Sequence, residues 1–168
     1  LLFNEIRDER LVITSIRSKD APEALLRMIA KKIPKQDFAE VVSAVLYERL
    51  DRKLCPECKV GYEPTPDVLQ KLGIPQGRVQ ILYRAPKPEE IDKPCEKCHG
   101  IGFLGRTGIF ELLEINDEIR KILVKQPTME RLRPAARAAG MRTLQEEGIL
   151  LVAKGITSLP ELTRVLRQ

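Results

Sequence analysis

The sequence predicts a mixed α/β fold that ends in a run of helices. Two short apolar runs, Leu1–Ile6 and Leu11–Ile16, are suited to buried strands, the second because it is rich in β-branched residues. After Asn116, apolar residues recur at helical spacing through most of the chain. With 168 residues, of which 43% are hydrophobic, the chain is long enough to bury a core as one domain or as two small ones.

Two helices are predicted to follow the strands. Asp20 is a suitable N-cap, and Pro22 fits the first turn of a helix that stops by Pro34. Apolar residues near helical spacing predict a second helix over Asp37–Lys53. This helix would lead directly into Cys55.

The rest of the chain alternates between turn signals and regular elements. A short helix is predicted over Asp67–Leu72, then a strand over Val79–Tyr83 and a proline-containing loop over Arg84–Pro94. A glycine-containing turn and a strand are predicted over Gly105–Leu113. The chain is then predicted to end in four helices, Asp117–Lys125, Met129–Ala139, Leu144–Ala153 and Leu159–Leu166.

All four cysteines of the chain lie in two Cys-x-x-Cys pairs, separated by a long insert. A Cys-x-x-Cys pair places two thiolates within reach of one metal ion, and two pairs complete a tetrahedral site. Glycines follow both pairs and permit the tight turns that direct backbone N–H groups at sulfur. The pattern therefore predicts a structural Zn²⁺ site with the ligands Cys55, Cys58, Cys95 and Cys98.

Three other interpretations of the cysteines stay open. A mononuclear iron site uses similar cysteine pairs. Cys95–His99 also fits the Cys-x-x-Cys-His pattern of covalent haem attachment, although the other pair would then have no purpose. Disulfides would require an oxidising compartment. His99 is the only histidine of the chain, and we expect it to face solvent beside the second pair.

The charge and hydropathy patterns limit the possible binding partners and the cellular compartment of the protein. The 29 basic and 24 acidic residues give a formal charge of +5, a bias found in proteins that bind nucleic acids or anionic membrane surfaces. Because only 4% of residues are aromatic, nucleic-acid binding is not expected. No apolar run approaches the roughly 20 residues of a membrane span, and the sequence starts without a signal peptide. We therefore expect a cytosolic chain, and the absence of an initiator methionine indicates a fragment.

Recognisable motifs occur in five stretches of the chain: Asn4–Asp8, Leu11–Ala21, Tyr47–Pro56, Gly105–Glu111 and Met141–Gly148. Together these stretches resemble the hexameric ATPases of type II secretion and type IV pilus assembly. They occur in the order of that family and span nearly the whole chain. Asn4–Asp8 resembles the acidic strand end Gly-Glu-Ile-Arg-Asp, and Leu11–Ala21 resembles the histidine box. Tyr47–Pro56 resembles the segment that enters the zinc-binding C-domain. Gly105–Glu111 and Met141–Gly148 resemble two further C-terminal signatures.

The resemblance implies a fold and an activity for the parent protein. The fold would be an α/β remnant of a RecA-like ATPase core, residues 1–54, followed by a tetracysteine zinc-binding subdomain, residues 55–104, and a helical C-terminal domain, residues 105–168. The parent would be a homo-oligomer, a hexamer as in that family, that binds ATP and Mg²⁺. It would be cytoplasmic and peripheral at the inner membrane, where it would act on platform proteins of a secretion or pilus machine. Glu5 matches the family's catalytic glutamate.

The sequence departs from the family pattern in several places, and these differences limit what the resemblance implies. Ser15–Lys19 stands where the family has Thr-Leu-His-Thr-Asn, so Arg17 replaces the histidine as the candidate nucleotide contact. A helical segment of the family is missing between Asp8 and Leu11. No Gly-x-x-x-x-Gly-Lys-Ser/Thr loop occurs in the chain, so the chain alone is not expected to hydrolyse ATP. The alternative is a zinc-stabilised basic module that binds nucleic acid or a protein partner without ATPase activity.

Overall fold

The computed structural model describes residues 10–167, so the predicted strand Leu1–Ile6 and Glu5 lie outside the described residues. None of the described helices is long and apolar enough to cross a membrane. The helices of this part of the chain are α1 (Ala21–Ile29), α2 (Lys35–Val41), α3 (Pro66–Lys71), α4 (Asp117–Lys125), α5 (Met129–Ala138), α6 (Leu144–Ala153) and α7 (Leu159–Leu166). The strands are β1 (Ala44–Leu54), β2 (Val60–Tyr62), β3 (Leu82–Arg84) and β4 (Phe103–Glu114), and a 3₁₀ turn spans Pro88–Glu90.

The strands form two separate pairs. The long strands β1 and β4 pair with each other. The short strands β2 and β3 pair antiparallel, with Val60 opposite Arg84 and Tyr62 opposite Leu82. The mixed α/β class predicted from the sequence is therefore confirmed for the described residues.

The chain folds into two compact units. The first runs to Tyr47 and resumes over Phe110–Arg142, whereas the second comprises Glu48–Ile109 and the chain from Thr143 onward. Helices α4 and α5 thus belong to the first unit, and α6 and α7 to the second. The RecA-like core and the division into residues 1–54, 55–104 and 105–168 stay predictions.

The first unit buries one apolar cluster between its helices. Helix α1 begins after Asp20, whose side chain accepts the Glu23 N–H, as the sequence predicted. The buried Glu111 carboxylate accepts the Ala21 N–H at 3.0 Å, which satisfies a second free donor of this helix end. The largest fully buried side chains of the cluster are Leu25, Leu113, Ile119, Leu123 and Leu132.

In the second unit, α6 packs against α7 at a glycine. Leu162 of α7 is 2% exposed, and a Cβ on Gly148 would lie 2.1 Å from its Cδ1 atom. A methyl group therefore has no room there. The N-terminus of α6 is fixed by a capping box, in which Thr143 and Glu146 each accept the backbone N–H of the other.

We predict that Gly148→Ala lowers the free energy of unfolding by about 1–2 kcal/mol. An alanine normally stabilises a helix interior by up to about 1 kcal/mol relative to glycine, but overpacking a core costs about 1–3 kcal/mol. Urea unfolding measures the difference. In the double variant with Leu162→Ala, the alanine at 148 should become neutral or stabilising. A single variant more stable than the wild type would contradict the packing shown here.

Two predicted elements are wrong. The helix predicted over Asp37–Lys53 is not formed, because α2 ends at Val41 and β1 starts at Ala44. Side chains in the middle of β1 alternate between exposed and less exposed, and β1 pairs with β4, which the local sequence does not reveal. Leu11–Ile16 is not a buried strand, since residues 10–18 carry no strand and Leu11 and Ile13 are 88% and 86% exposed.

Most other predicted elements are confirmed. Helices α4, α6 and α7 have the predicted bounds, and α3 and α5 differ from theirs by one residue. Their caps and periodic apolar residues are local signals, which explains the agreement. The strand predicted over Val79–Tyr83 instead begins at Leu82, where its pairing with β2 begins.

Candidate metal centre

The first cysteine pair lies at the end of β1, in the second unit. Cys55 is fully buried, and its N–H donates to the Gly102 carbonyl at 3.0 Å. The Lys59 N–H donates back to the Cys55 carbonyl at 3.1 Å and closes a tight turn around the pair. This turn brings the half-buried Cys58 to the same side as Cys55.

The second pair, Cys95 and Cys98, lies in a turn with three left-handed residues. The φ angles of His99, Gly100 and Gly102 are 53°, 79° and 78°. The Gly102 N–H donates to the Cys98 sulfur at 3.3 Å. This is the N–H···S contact that the glycines in the sequence predicted.

The four sulfur atoms converge on one point. All lie within 4.8 Å of one another, and the distances between Cys55 and Cys95 and between Cys58 and Cys98 are 3.9 and 3.6 Å. A tetrahedral zinc site with Zn–S bonds of about 2.3 Å places its sulfurs about 3.8 Å apart. All four cysteines are free thiols. The cluster could therefore hold a metal ion, and its size is consistent with zinc.

The thiols of the cluster differ in acidity. Burial acts to raise the pKa of Cys98, but hydrogen bonds from the Gly102 N–H and the other cysteines lower it to about 7. Burial, followed by hydrogen bonds to Cys98, Cys55 and Cys95, raises the pKa of Cys58. Cys98 is thus deprotonated more readily than Cys58, and thiolate is the form that binds metal.

The four cysteines differ in their exposure to solvent. Cys55 and Cys98 are buried, whereas Cys58 and Cys95 are half-buried. The latter two line a cavity of about 290 Å³ together with Gly100, Asp92 and Lys93. A chelator would therefore meet the cluster on the side of Cys58 and Cys95.

The remaining candidate residues lie elsewhere. Arg17 is exposed on the segment before α1, which is neither helix nor strand, and Glu5 lies outside the described residues. His99 is exposed, as expected, and is not among the residues that the structure groups as candidate metal ligands. The catalytic role of Glu5 and the nucleotide contact of Arg17 stay predictions.

The second unit contains a buried charge cluster that was not predicted from the sequence. Glu161 has a side chain only 1% exposed, and it forms ion pairs with Arg52 at 2.5 Å and Arg164 at 2.7 Å. Next to Arg52 on the strand is Asp51, which is fully buried. Arg52 and Glu161 are far apart in sequence, so only an acidic residue in the apolar pattern of α7 could have indicated the cluster.

Comparison with known proteins identifies the family. Residues 9–164 match the family described as "Type II/IV secretion system protein". The chain is 34% identical over 154 residues to "Type IV pilus assembly ATPase PilB" of Thermus thermophilus, covering 90% of this chain and 16% of that protein. It is 34% identical over 157 residues to "Type II secretion system protein HxcR" of Pseudomonas aeruginosa, covering 94% of this chain and 28% of the relative.

A third relative, "Protein transport protein HofB homolog" of Escherichia coli, is 33% identical over 156 residues, which cover 93% of this chain and 32% of that protein. The chain thus spans only 16–32% of the length of these relatives. The relatives do not favour the alternative of a basic binding module without a link to secretion ATPases. Because the family match extends over most of the sequence, this chain belongs to the Type II/IV secretion system protein family.

Proposed function

We propose that this chain is the C-terminal part of an ATPase that powers type II protein secretion or type IV pilus assembly. The match of residues 9–164 to the family carries the proposal, and relatives named as secretion or pilus proteins support it. The parent would be a hexamer in the cytoplasm, bound peripherally to platform proteins of the inner membrane. ATP and Mg²⁺ would be its cofactors, and nucleic acid is not an expected partner.

In this proposal the tetracysteine cluster has a structural task. A Cys₄ zinc site has no open coordination position, so it stabilises a fold and does not activate water. Bound zinc would be held by Cys55, Cys58, Cys95 and Cys98, which the structure brings within 4.8 Å. It would close the long insert between the pairs into one loop.

The residues proposed to act in catalysis, Glu5 and Arg17, lie in the N-terminal part of the chain. Glu5 would orient or deprotonate the water that attacks the γ-phosphate. Arg17 would contact the phosphates where the family uses histidine, because arginine binds phosphate through several N–H groups. Arg17 is already exposed, so a nucleotide held by the parent protein could reach it.

We predict that the 168-residue chain alone does not hydrolyse ATP, whereas the full-length parent does so with Mg²⁺. The chain contains no phosphate-binding loop, and binding the phosphates requires its backbone amides and lysine. Phosphate release by both proteins tests this. In the parent, Glu5→Gln should reduce turnover by at least about 100-fold while nucleotide binding is retained.

The exposed Asp67 offers a matched control, since Asp67→Asn also removes one carboxylate and should leave turnover unchanged. Arg17→His in the same assay shows whether the substituted histidine box slows the motor. Turnover by the isolated chain that Glu5→Gln abolishes would overturn the prediction. A parent without Mg²⁺-dependent turnover would overturn the proposed function.

A further inference from the structure

Asp51 of β1 is a buried acid that has no role in the proposed function. Its side chain is fully buried, and within residues 10–167 neither of its carboxyl oxygens has a hydrogen-bond partner. An unpaired carboxylate in such a place is strongly disfavoured, and a group so placed usually becomes neutral instead. Asp51 lies near the end of β1, which pairs with β4.

The nearby donors are directed at other acceptors. The Thr157 hydroxyl donates to the Arg52 carbonyl at 2.9 Å. The Arg52 N–H is directed at Glu161 Oε1 at 3.4 Å. The Arg52 guanidinium donates to both oxygens of Glu161, at 2.7 and 2.5 Å, and Arg164 does the same at 2.9 and 2.7 Å. The arginine donors therefore satisfy Glu161, the Thr157 hydroxyl satisfies a backbone carbonyl, and none of these hydrogen bonds goes to Asp51.

The two adjacent acids are consequently placed in opposite environments. Burial raises the pKa of Asp51, and the negative charge of Glu161 raises it further. The nearby Thr157 hydroxyl, the Arg52 N–H and the positive charge of Arg164 act to lower this pKa. Hydrogen bonds from Arg52 hold the pKa of Glu161 at about 2. Two neighbouring carboxyl groups with pKa values shifted apart hold their protons over different pH ranges.

We propose that Asp51 is a proton-binding site that links the docking of α7 against β1 to pH. Below its folded-state pKa, the buried Asp51 of the folded unit is a neutral carboxylic acid. When α7 leaves β1, water reaches Asp51, which then ionises and releases one proton to solvent. Docking takes that proton up again.

The sign of the pH dependence follows from the raised pKa of Asp51. The contribution of Asp51 to the docking of α7 is fully present below the ordinary aspartate pKa of about 3.9 and is lost as the pH rises toward the folded-state pKa. Over this interval one proton is released per opening, so the opening equilibrium increases roughly tenfold per pH unit. Above the folded-state pKa the dependence levels off. Glu161 has the opposite dependence, since its contribution is present above pH 4.5 and is lost as the pH falls toward 2, so the interval above pH 4.5 reports Asp51 without a change from Glu161.

Two measurements on the whole chain test the proposal. Carbon-13 NMR of the Asp51 carboxyl group follows its ionisation directly in the wild-type protein, and we expect a midpoint clearly above about 3.9. Hydrogen exchange of the α7 amides between about pH 4 and pH 9, corrected for intrinsic exchange rates, reports the opening of the helix. We expect opening to increase up to tenfold per pH unit until the Asp51 midpoint and then to level off.

Two variants separate the proposal from a general effect of pH. Asp51→Asn keeps the shape of the side chain without an ionisable proton and should abolish this pH dependence of α7. Asp67→Asn removes an exposed carboxylate of the same unit and should leave the dependence unchanged. An Asp51 midpoint at or below the ordinary value would overturn the proposal. The same pH profile in Asp51→Asn would overturn it as well, and the NMR titration decides the question even if that variant does not fold.

Discussion

Removal of the metal from the proposed zinc site is expected to unfold the two cysteine turns while the first unit stays folded. Structural zinc contributes about 10–16 kcal/mol in zinc-finger peptides, because the unfolded chain does not hold the four ligands together. The metal would also close the long insert between Cys58 and Cys95 into a loop. We therefore expect residues 55–104 to lose hydrogen-exchange protection upon chelation before α4 and α5 do.

The measurement combines metal analysis with hydrogen exchange before and after a chelator is added. Cys55→Ser and Cys98→Ser should reproduce the effect of the chelator, because these two ligands are buried and a hydroxyl binds zinc poorly. His99→Ala is the matched control, since His99 lies in the same turn but is exposed. The prediction is wrong if protein prepared without a chelator contains no metal, or if the serine variants keep full protection.

Loss of Glu161 is expected to be the most damaging single change at the β1–α7 contact. Glu161→Gln leaves Arg52 and Arg164 without their shared acceptor charge in a site where the Glu161 side chain is 1% exposed. Breaking a buried pair costs about 3–5 kcal/mol, but both arginines are more than 40% exposed. We therefore expect a loss of about 2–3 kcal/mol in the free energy of unfolding, measured with urea at neutral pH.

The pH dependence of this contribution follows from the lowered pKa. Hydrogen bonds from Arg52, followed by those from Arg164 and opposed by burial, hold the pKa of Glu161 at about 2, below its ordinary value of 4.5. Because the folded-state pKa is depressed, the stabilisation is present above pH 4.5 and is lost as the pH falls toward 2. The difference between wild type and Glu161→Gln should shrink over this interval.

The matched control for this prediction is Glu90, which pairs with Arg84 and also has a pKa of about 2 because of that pair. This pair lies at the surface, where solvent screens ion pairs, so Glu90→Gln should change stability little. Equal effects of the two variants would show that burial does not decide the strength of the Glu161 cluster. A constant difference between pH 5 and pH 2 would contradict the pKa assigned to Glu161.

The sequence alone determined the features that depend on neighbouring residues. The helices α4, α6 and α7 were predicted with the observed bounds, because an N-cap such as Asn116 or Thr143 and the apolar spacing act within a few residues. The cysteine pairs could be assigned to one cluster because the Cys-x-x-Cys spacing is itself the geometric requirement of a metal site. The family was recognised from short motifs in order and is confirmed by the comparisons.

Only the tertiary structure decided the features that depend on distant partners. Val45 and Leu46 fit a helical pattern as well as a strand. The segment forms the strand β1 because it pairs with β4. Leu11 and Ile13 have the composition of a buried strand but lie exposed, since burial depends on what packs against them. The charge cluster of Asp51, Arg52 and Glu161 could not be predicted, because local spacing carries no information about contacts between residues this far apart.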